Sequence, residues 1–113
     1  MSKVFVIQET SIHDISSALD YGDIDVLLPP GSQIAFSPGP TVRRIRRKLM
    51  SFNDKDYLLL IGDPAAIGIA CAVASEANNG RFKMLKWSKK EMRYFPVSVD
   101  LNEKGELYEQ DFN

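Results

Sequence analysis

One cysteine and one histidine in 113 residues leave little room for disulfide stapling or metal chemistry. Cys71 has no second thiol to pair with, and one cysteine with one histidine does not assemble the ligands of a zinc site. No apolar run has the length of a membrane span. The longest candidate, Ala65–Ala74, is interrupted by Gly68 and turns polar at Ser75-Glu76. Met1-Ser2-Lys3 leads straight into an apolar strand without the long apolar core of a signal peptide, so a cytoplasmic location is expected. Repeats, linkers and low-complexity tracts are absent as well. Missing too are a glycine-rich phosphate fingerprint, a Gly-Lys-Ser/Thr pair and a Gly-x-Ser-x-Gly elbow. The chemistry that these patterns signal is therefore not expected, and the residues point to a protein that is not an enzyme and needs no cofactor.

What is present is enough for one domain with a real core, at 44% hydrophobic and 26% charged residues. The stretch Asp56–Trp87 reads as strand, helix, strand. Tyr57-Leu58-Leu59-Leu60-Ile61 is a continuous apolar run, as in a strand covered on both faces. Gly62 breaks it, Asp63 suits an N-cap and Pro64 the first helical position. Ala65–Ala74 forms the helix, which Asn79-Gly80 ends, and Arg81–Trp87 returns as a strand. Such a unit makes a crossover between parallel strands. The small residues Ala66, Gly68, Ala70, Ala72 and Ala74 suit close packing, and a bulky residue at Gly68 is expected to be poorly tolerated.

On either side of this unit the signals are shorter. Lys3–Gln8 is a buried strand, and Thr10 or Ser11 suits the cap of a short helix over His13–Leu19. Asp23–Leu28 and Gln33–Ser37, joined by Pro29-Pro30-Gly31-Ser32, read as a hairpin at a sheet edge. Thr41 suits the cap of a helix over Val42–Phe52, where Val42, Ile45, Leu49 and Phe52 make one apolar stripe. Arg93–Val99 forms a last strand in a hairpin with Arg81–Trp87, and Pro96 places it at an edge or a bulge. The expectation is a single α/β domain over 1–100, followed by an acidic, mobile tail over 101–113. Its core is a mixed sheet of five to six strands with two to three helices, one parallel crossover over 56–87, and hairpins.

Charge is the strongest functional signal. The net charge of −1 hides a segregation into blocks. Residues 1–38 set Lys3 against five acids, and residues 95–113 set Lys104 against five more. Between them lies a helix with Arg43, Arg44, Arg46, Arg47 and Lys48 on its polar surface. A second basic block interleaves Lys83, Lys86, Lys89, Lys90 and Arg93 with Trp87 and its aromatic neighbours Phe82, Tyr94 and Phe95. Arginine forks suit phosphate, and cations beside aromatics on a hairpin suit a single-stranded backbone with stacked bases. These residues are the candidate contacts for nucleic acid or for a protein that handles it. The same cations also suit a plain solvated face, and the segregated charges suit pairing between copies in a homo-oligomer.

Other candidate sites are weaker. The turn Ile61–Ala66 lies where open α/β sheets place ligands, but Asp63 sets a carboxylate where a phosphate would go. Ser11, Ser16 and Ser17 near His13 lack the spacing of a triad, and Cys71 falls mid-helix as a small hydrophobe. Asp20, Asp23 and Asp25 lack the calcium-loop pattern.

Several segments carry a resemblance. Val4–Glu9, Leu27–Gly31, Phe36–Arg43, Asp56–Pro64 and Asn79–Trp87 are similar to a group of small uncharacterised proteins encoded by tailed bacteriophages and marine viral metagenomes. The likeness runs to about Leu101. It implies a phage product working in a bacterial cytoplasm and contributes no activity or site.

Overall fold

The computed structural model describes residues 1–10, 14–31 and 38–103. Five strands form one sheet in the order β2-β1-β3-β4-β5: β1 (Lys3–Gln8), β2 (Asp23–Leu28), β3 (Tyr57–Leu59), β4 (Arg81–Ser88) and β5 (Arg93–Asp100). The pairs β1–β2, β1–β3 and β3–β4 are parallel, and β4–β5 is an antiparallel hairpin. A 3-10 helix (Ser16–Tyr21) follows β1, α1 (Pro38–Lys48) follows β2, and α2 (Pro64–Ala77) joins β3 to β4. The parallel crossover and the mixed five-stranded α/β sheet are as expected. The proposed strand Gln33–Ser37, the tail from residue 104 and the residues Ser11 and His13 lie outside the described residues.

Both faces of the sheet are covered, unequally. On the helical face, Phe5, Ile7, Leu27 and Leu58 pack against Ile45, Leu49 and Phe52 of the α1 segment and against Ala66, Ala70, Val73 and Ala74 of α2. The far face packs Val4, Val6, Leu59, Ile61 and Leu85 with Ala18 and Tyr94. Only the six-residue 3-10 helix lies over that side among the described residues.

Local chemistry accounts for most boundaries and for the corrections. Asp63 caps α2 as expected, its Oδ1 accepting from the Ala65 N–H at 2.7 Å, with Pro64 at the start. The helix ends where Asn79 and Gly80 take positive φ and the Gly80 N–H donates to the Ser75 carbonyl at 2.7 Å. α1, however, starts at Pro38 and leaves Thr41 inside the helix, not at its cap. Pro38 and Pro40 have φ preset for helix, and first-turn positions need no N–H donor. The 3-10 helix likewise has Ile15 at its N-cap, while Asp14 Oδ1 accepts from the Ser16 N–H at 2.9 Å, so Thr10 does not cap it. β3 stops at Leu59, because the Ile61 N–H turns back to the Leu59 carbonyl at 2.8 Å.

Two junctions hold the sheet's ends. Asp56, only 3% exposed, accepts from the Lys3 N–H through Oδ1 at 3.0 Å and from the Asn53 N–H through Oδ2 at 3.1 Å. At the other end Gln8, 8% exposed, accepts from the Asp63 N–H at 2.8 Å and donates to the Pro29 carbonyl at 3.4 Å. Gly62 makes that approach possible: at φ 125° a Cβ there would stand 2.4 Å from Gln8 Cβ.

Gly68 behaves differently from expectation. It is exposed on α2, and an added Cβ would meet nothing within 4 Å. The close packing belongs to Ala66, Ala70 and Ala74, one turn apart on the buried side. Two substitutions separate these environments. Gly62→Ala should lower the urea midpoint by the equivalent of about 1–2 kcal/mol or more, since it adds a left-handed strain to the collision with Gln8. Gly68→Ala should raise it by up to about 1 kcal/mol through helix propensity alone.

Candidate nucleic-acid interface

The two basic blocks do not form one surface. α1 packs beside α2 on the helical face, near β2, whereas β4 and β5 close the opposite edge of the sheet. Three of the five α1 cations already have partners. Arg44 Nε donates to the Leu27 carbonyl at 2.7 Å, Lys48 Nζ meets Asp25 at 3.0 Å, and Arg46 meets Glu76 of α2 at 3.1 Å. The Arg46 pair is mostly solvated and contributes no more than about 1 kcal/mol. Arg43 and Arg47, with Pro40 and Arg46, line an open groove of about 430 Å³. The helix thus spends part of its charge on holding β2 and α2 in place.

Alternation along the hairpin divides its side chains between two faces. Phe82 belongs to the helical-face cluster and Leu85 to the far-face cluster. With the pairs Lys83↔Ser98, Leu85↔Pro96 and Trp87↔Tyr94, these six residues share the far face, while Lys86 and Arg93 go with the helical face. Lys89 and Lys90 sit in the four-residue turn, which closes through the Met92 N–H to the Ser88 carbonyl at 2.8 Å, with Met92 at φ 54°. Arg93 is engaged by Glu91 at 2.8 Å, which also raises its pKa. Lys86, Lys89 and Lys90 are exposed and make no ion pair among the described residues.

An aromatic path lies under the far-face side of this hairpin. Trp87, 38% exposed, meets Tyr94 edge-on at 4.9 Å between centroids. The Tyr21 hydroxyl donates to the Tyr94 carbonyl at 3.1 Å, and the Tyr21 ring meets Tyr57 at 5.3 Å. Lys83 Nζ stands 4.1 Å above the Tyr57 ring. Burial raises the Tyr94 pKa, with the Asp14 carboxylate adding to the shift. Tyr21 and Tyr57 escaped the sequence reading, because their nearness to the hairpin follows from strand order. Their one visible signal was the period-2 placement of Tyr57 at a strand start.

The weaker candidates find structural explanations. Asp63 serves as a helix cap, and Gln8 occupies the crevice beside it, at the point where the chain passes from one side of β1 to the other. Asp25 pairs with Lys48 while Asp23 is exposed, and no metal-holding cluster exists among the described residues. Beside β4 and β5, a cleft of about 250 Å³ is lined by Asp54, Arg81, Phe82, Asp100 and neighbouring side chains. In it Asp54 accepts from Asn78 and Arg81, bonds that hold its carboxyl below the usual range. No helix among the described residues is long and apolar enough to cross a membrane.

Cys71 is half-buried, and burial pushes its thiol pKa up. Alkylation of the folded protein should therefore be several-fold slower near neutral pH than that of the urea-unfolded chain. The sign of the linked effect is also fixed. The unfolded chain ionises first, so the thiol's contribution to stability is complete below the ordinary thiol pKa and fades as pH rises through the raised one. A Cys71→Ala variant should lack that part of the pH dependence in urea melts.

Neither the curated proteins nor the solved structures contain a significant match to the chain. A family model does match, over residues 2–101, and its description is phage Pam3 gp32-like protein. That span holds every described strand and helix, and it ends where the Leu101 N–H is tied to the Gly80 carbonyl at 2.8 Å. The five segments that resemble small phage proteins all fall within it, and the chain belongs to the phage Pam3 gp32-like protein family.

Proposed function

We propose that the protein is a non-enzymatic phage accessory factor that works in the host cytoplasm by binding nucleic acid or a protein that handles it. The observation that carries this reading is the β4–β5 hairpin. Lys86, Lys89 and Lys90 stand exposed and without ion pairs among the described residues, Lys86 on the helical face and the other two in the turn that follows a tryptophan 38% exposed on the far face. Lysines without local counter-charges release bound counterions when they meet phosphates, and aromatic rings among them give bases a surface to stack on. The α1 arginines are a secondary contact in this reading, since Arg44, Arg46 and Lys48 have structural partners.

A second reading, self-association, draws on the outer side of α2, where Ala65, Gly68 and Ala72 are exposed and small enough for a second helix to approach closely. Pairing through the β5 edge is less favoured. The Leu85 carbonyl accepts from the Leu60 N–H, so Leu85 bonds toward β3 and its partner Pro96 points its backbone out of the sheet. Proline there puts a position without a donor in the middle of the open edge.

Fluorescence anisotropy against labelled DNA and RNA at two salt concentrations tests the main reading. Binding should fall steeply with salt. Replacing Lys86, Lys89 and Lys90 by alanine should flatten the log–log salt slope by about 2 for a single strand. Binding that survives their loss unchanged overturns the assignment to the hairpin. No binding at low salt, with a dimer in sizing chromatography that Ala72→Glu disrupts, favours self-association.

A further inference from the structure

We infer that the far face of the hairpin is a stacking platform for single-stranded nucleic acid, with Trp87 as its base-contacting position and Lys83, held over Tyr57, as a phosphate contact. This rests on the proposed nucleic-acid function and assigns it a face and a substrate class. Lys83 and Trp87 lie on the same side of β4, four residues and so about 13 Å apart. Between them on that side are Leu85, which is buried, and the exposed Pro96 and Ser98 of β5. The surface between the two positions is therefore shallow. A splayed strand can lie across it, whereas the bases of a duplex stay stacked inside the helix, out of reach.

Both positions are set in advance. Tyr94 meets the Trp87 ring in a T-shaped contact at 4.9 Å while Trp87 stays partly exposed, and the Tyr94 backbone is in turn fixed by the Tyr21 hydroxyl at 3.1 Å. Tyr21 packs on Tyr57 at 5.3 Å, and the Lys83 ammonium, 4.1 Å over the Tyr57 ring, is held there as a fixed cation. With a base on Trp87, the backbone phosphates run toward Lys83 on one side and the turn lysines Lys89 and Lys90 on the other. The occupant is thus a chain with flat rings and regular negative charge. Two acids lie near this face: Asp54, which lines one cleft with Lys83 and Ser98, and Asp14, exposed at the start of the 3-10 helix that carries Tyr21 and close enough to Tyr94 to add to its raised pKa. Asp14 opposes phosphate, so its neutralisation should strengthen binding.

Trp87 is the only tryptophan in the chain, so its fluorescence reports this face directly. Titration of the whole protein with an oligothymidylate should quench Trp87 in parallel with the anisotropy signal. A duplex of equal length should quench it less and bind less tightly. Trp87→Ala should weaken single-strand binding about tenfold, Trp87→Phe should retain most of it, and Asp14→Asn should improve it. The wild-type quench keeps the test valid if Trp87→Ala fails to fold. Anisotropy that reports binding without quenching, or with equal affinity for duplex, overturns the platform but leaves the broader nucleic-acid function standing. The same holds if heparin quenches as strongly as the oligonucleotide, since charge alone would then explain the signal. No binding to any nucleic acid overturns both and leaves this face to a protein partner.

Discussion

Strand β1 is hydrogen-bonded on both sides to parallel neighbours, β2 and β3, and much of the architecture answers to that arrangement. Parallel neighbours cannot be joined by tight turns, so each connection must travel the length of the sheet. After β1 the connection includes the 3-10 helix, after β3 it is α2, and α1 brings the chain back from β2 toward β3. Because helices cover the centre, β1 is buried from Val4 to Gln8 and tolerates apolar residues on both faces. The crossing from one side of β1 to the other opens a crevice at the carboxyl ends of β1 and β3, where sheets of this kind hold ligands. Here the Gln8 amide ties Asp63 to Pro29 across it. Gly62 has to lack a side chain so that Gln8 can sit there. The space another member of this architecture would give to a ligand is used to join three segments.

Closing the centre shifts attention to the periphery, and charge follows the same division. Asp25 is engaged with Lys48, so the acidic β2 and the basic α1 partly cancel within the chain. Arg46 binds Glu76 and Arg44 closes the end of β2. The hairpin has two ion pairs of its own. Glu91 takes Arg93 and Asp54 takes Arg81, leaving Lys86, Lys89 and Lys90 without ion pairs among the described residues. Net charge near zero is therefore a poor guide to this molecule. Its field is set by which cations are already neutralised at short range, and on that measure the hairpin stands out.

What could be read from the residues was local. Asp63-Pro64 and Asn79-Gly80 bound α2 because caps act within a turn of the positions they serve. The stripe Ile45, Leu49 and Phe52 is buried because helical spacing places it on one face. Pro96 indicated an edge because it lacks a donor, and β5 is an edge. What escaped depended on distant segments. Thr41 has the chemistry of a cap, yet the two prolines before it start the helix earlier. Gly68 has the chemistry of a close contact, yet the rotation of α2 turns it outward, and that rotation is decided by the buried sides of Ala66, Ala70 and Ala74. The hairpin cations were visible as one block, but the period of two sends Lys83 and Lys86 to opposite faces. Tyr21 and Tyr57, 36 positions apart, meet only because β1 separates β2 from β3 in the sheet.

The unequal covering of the two faces ties the fold to the proposed function. α1 and α2 cover the helical side of β1, β3 and part of β4, and small residues on α2 let it sit close. On the far side the 3-10 helix brings Ala18 onto the core and Tyr21 to Tyr94, and beyond Tyr94 no described helix continues over the hairpin. A third long helix there would bury Trp87, Lys83 and Ser98 and leave an ordinary three-layer domain. Among the described residues none lies there, and the far face ends in packed aromatic side chains bordered by lysines. Apolar rings at such a margin cost solvation free energy unless something covers them part of the time. In the proposed reading the lysines favour an anionic cover, and the partly exposed Trp87 ring favours one with flat rings. The short 3-10 connection is therefore what leaves Trp87 and Ser98 exposed on that side among the described residues.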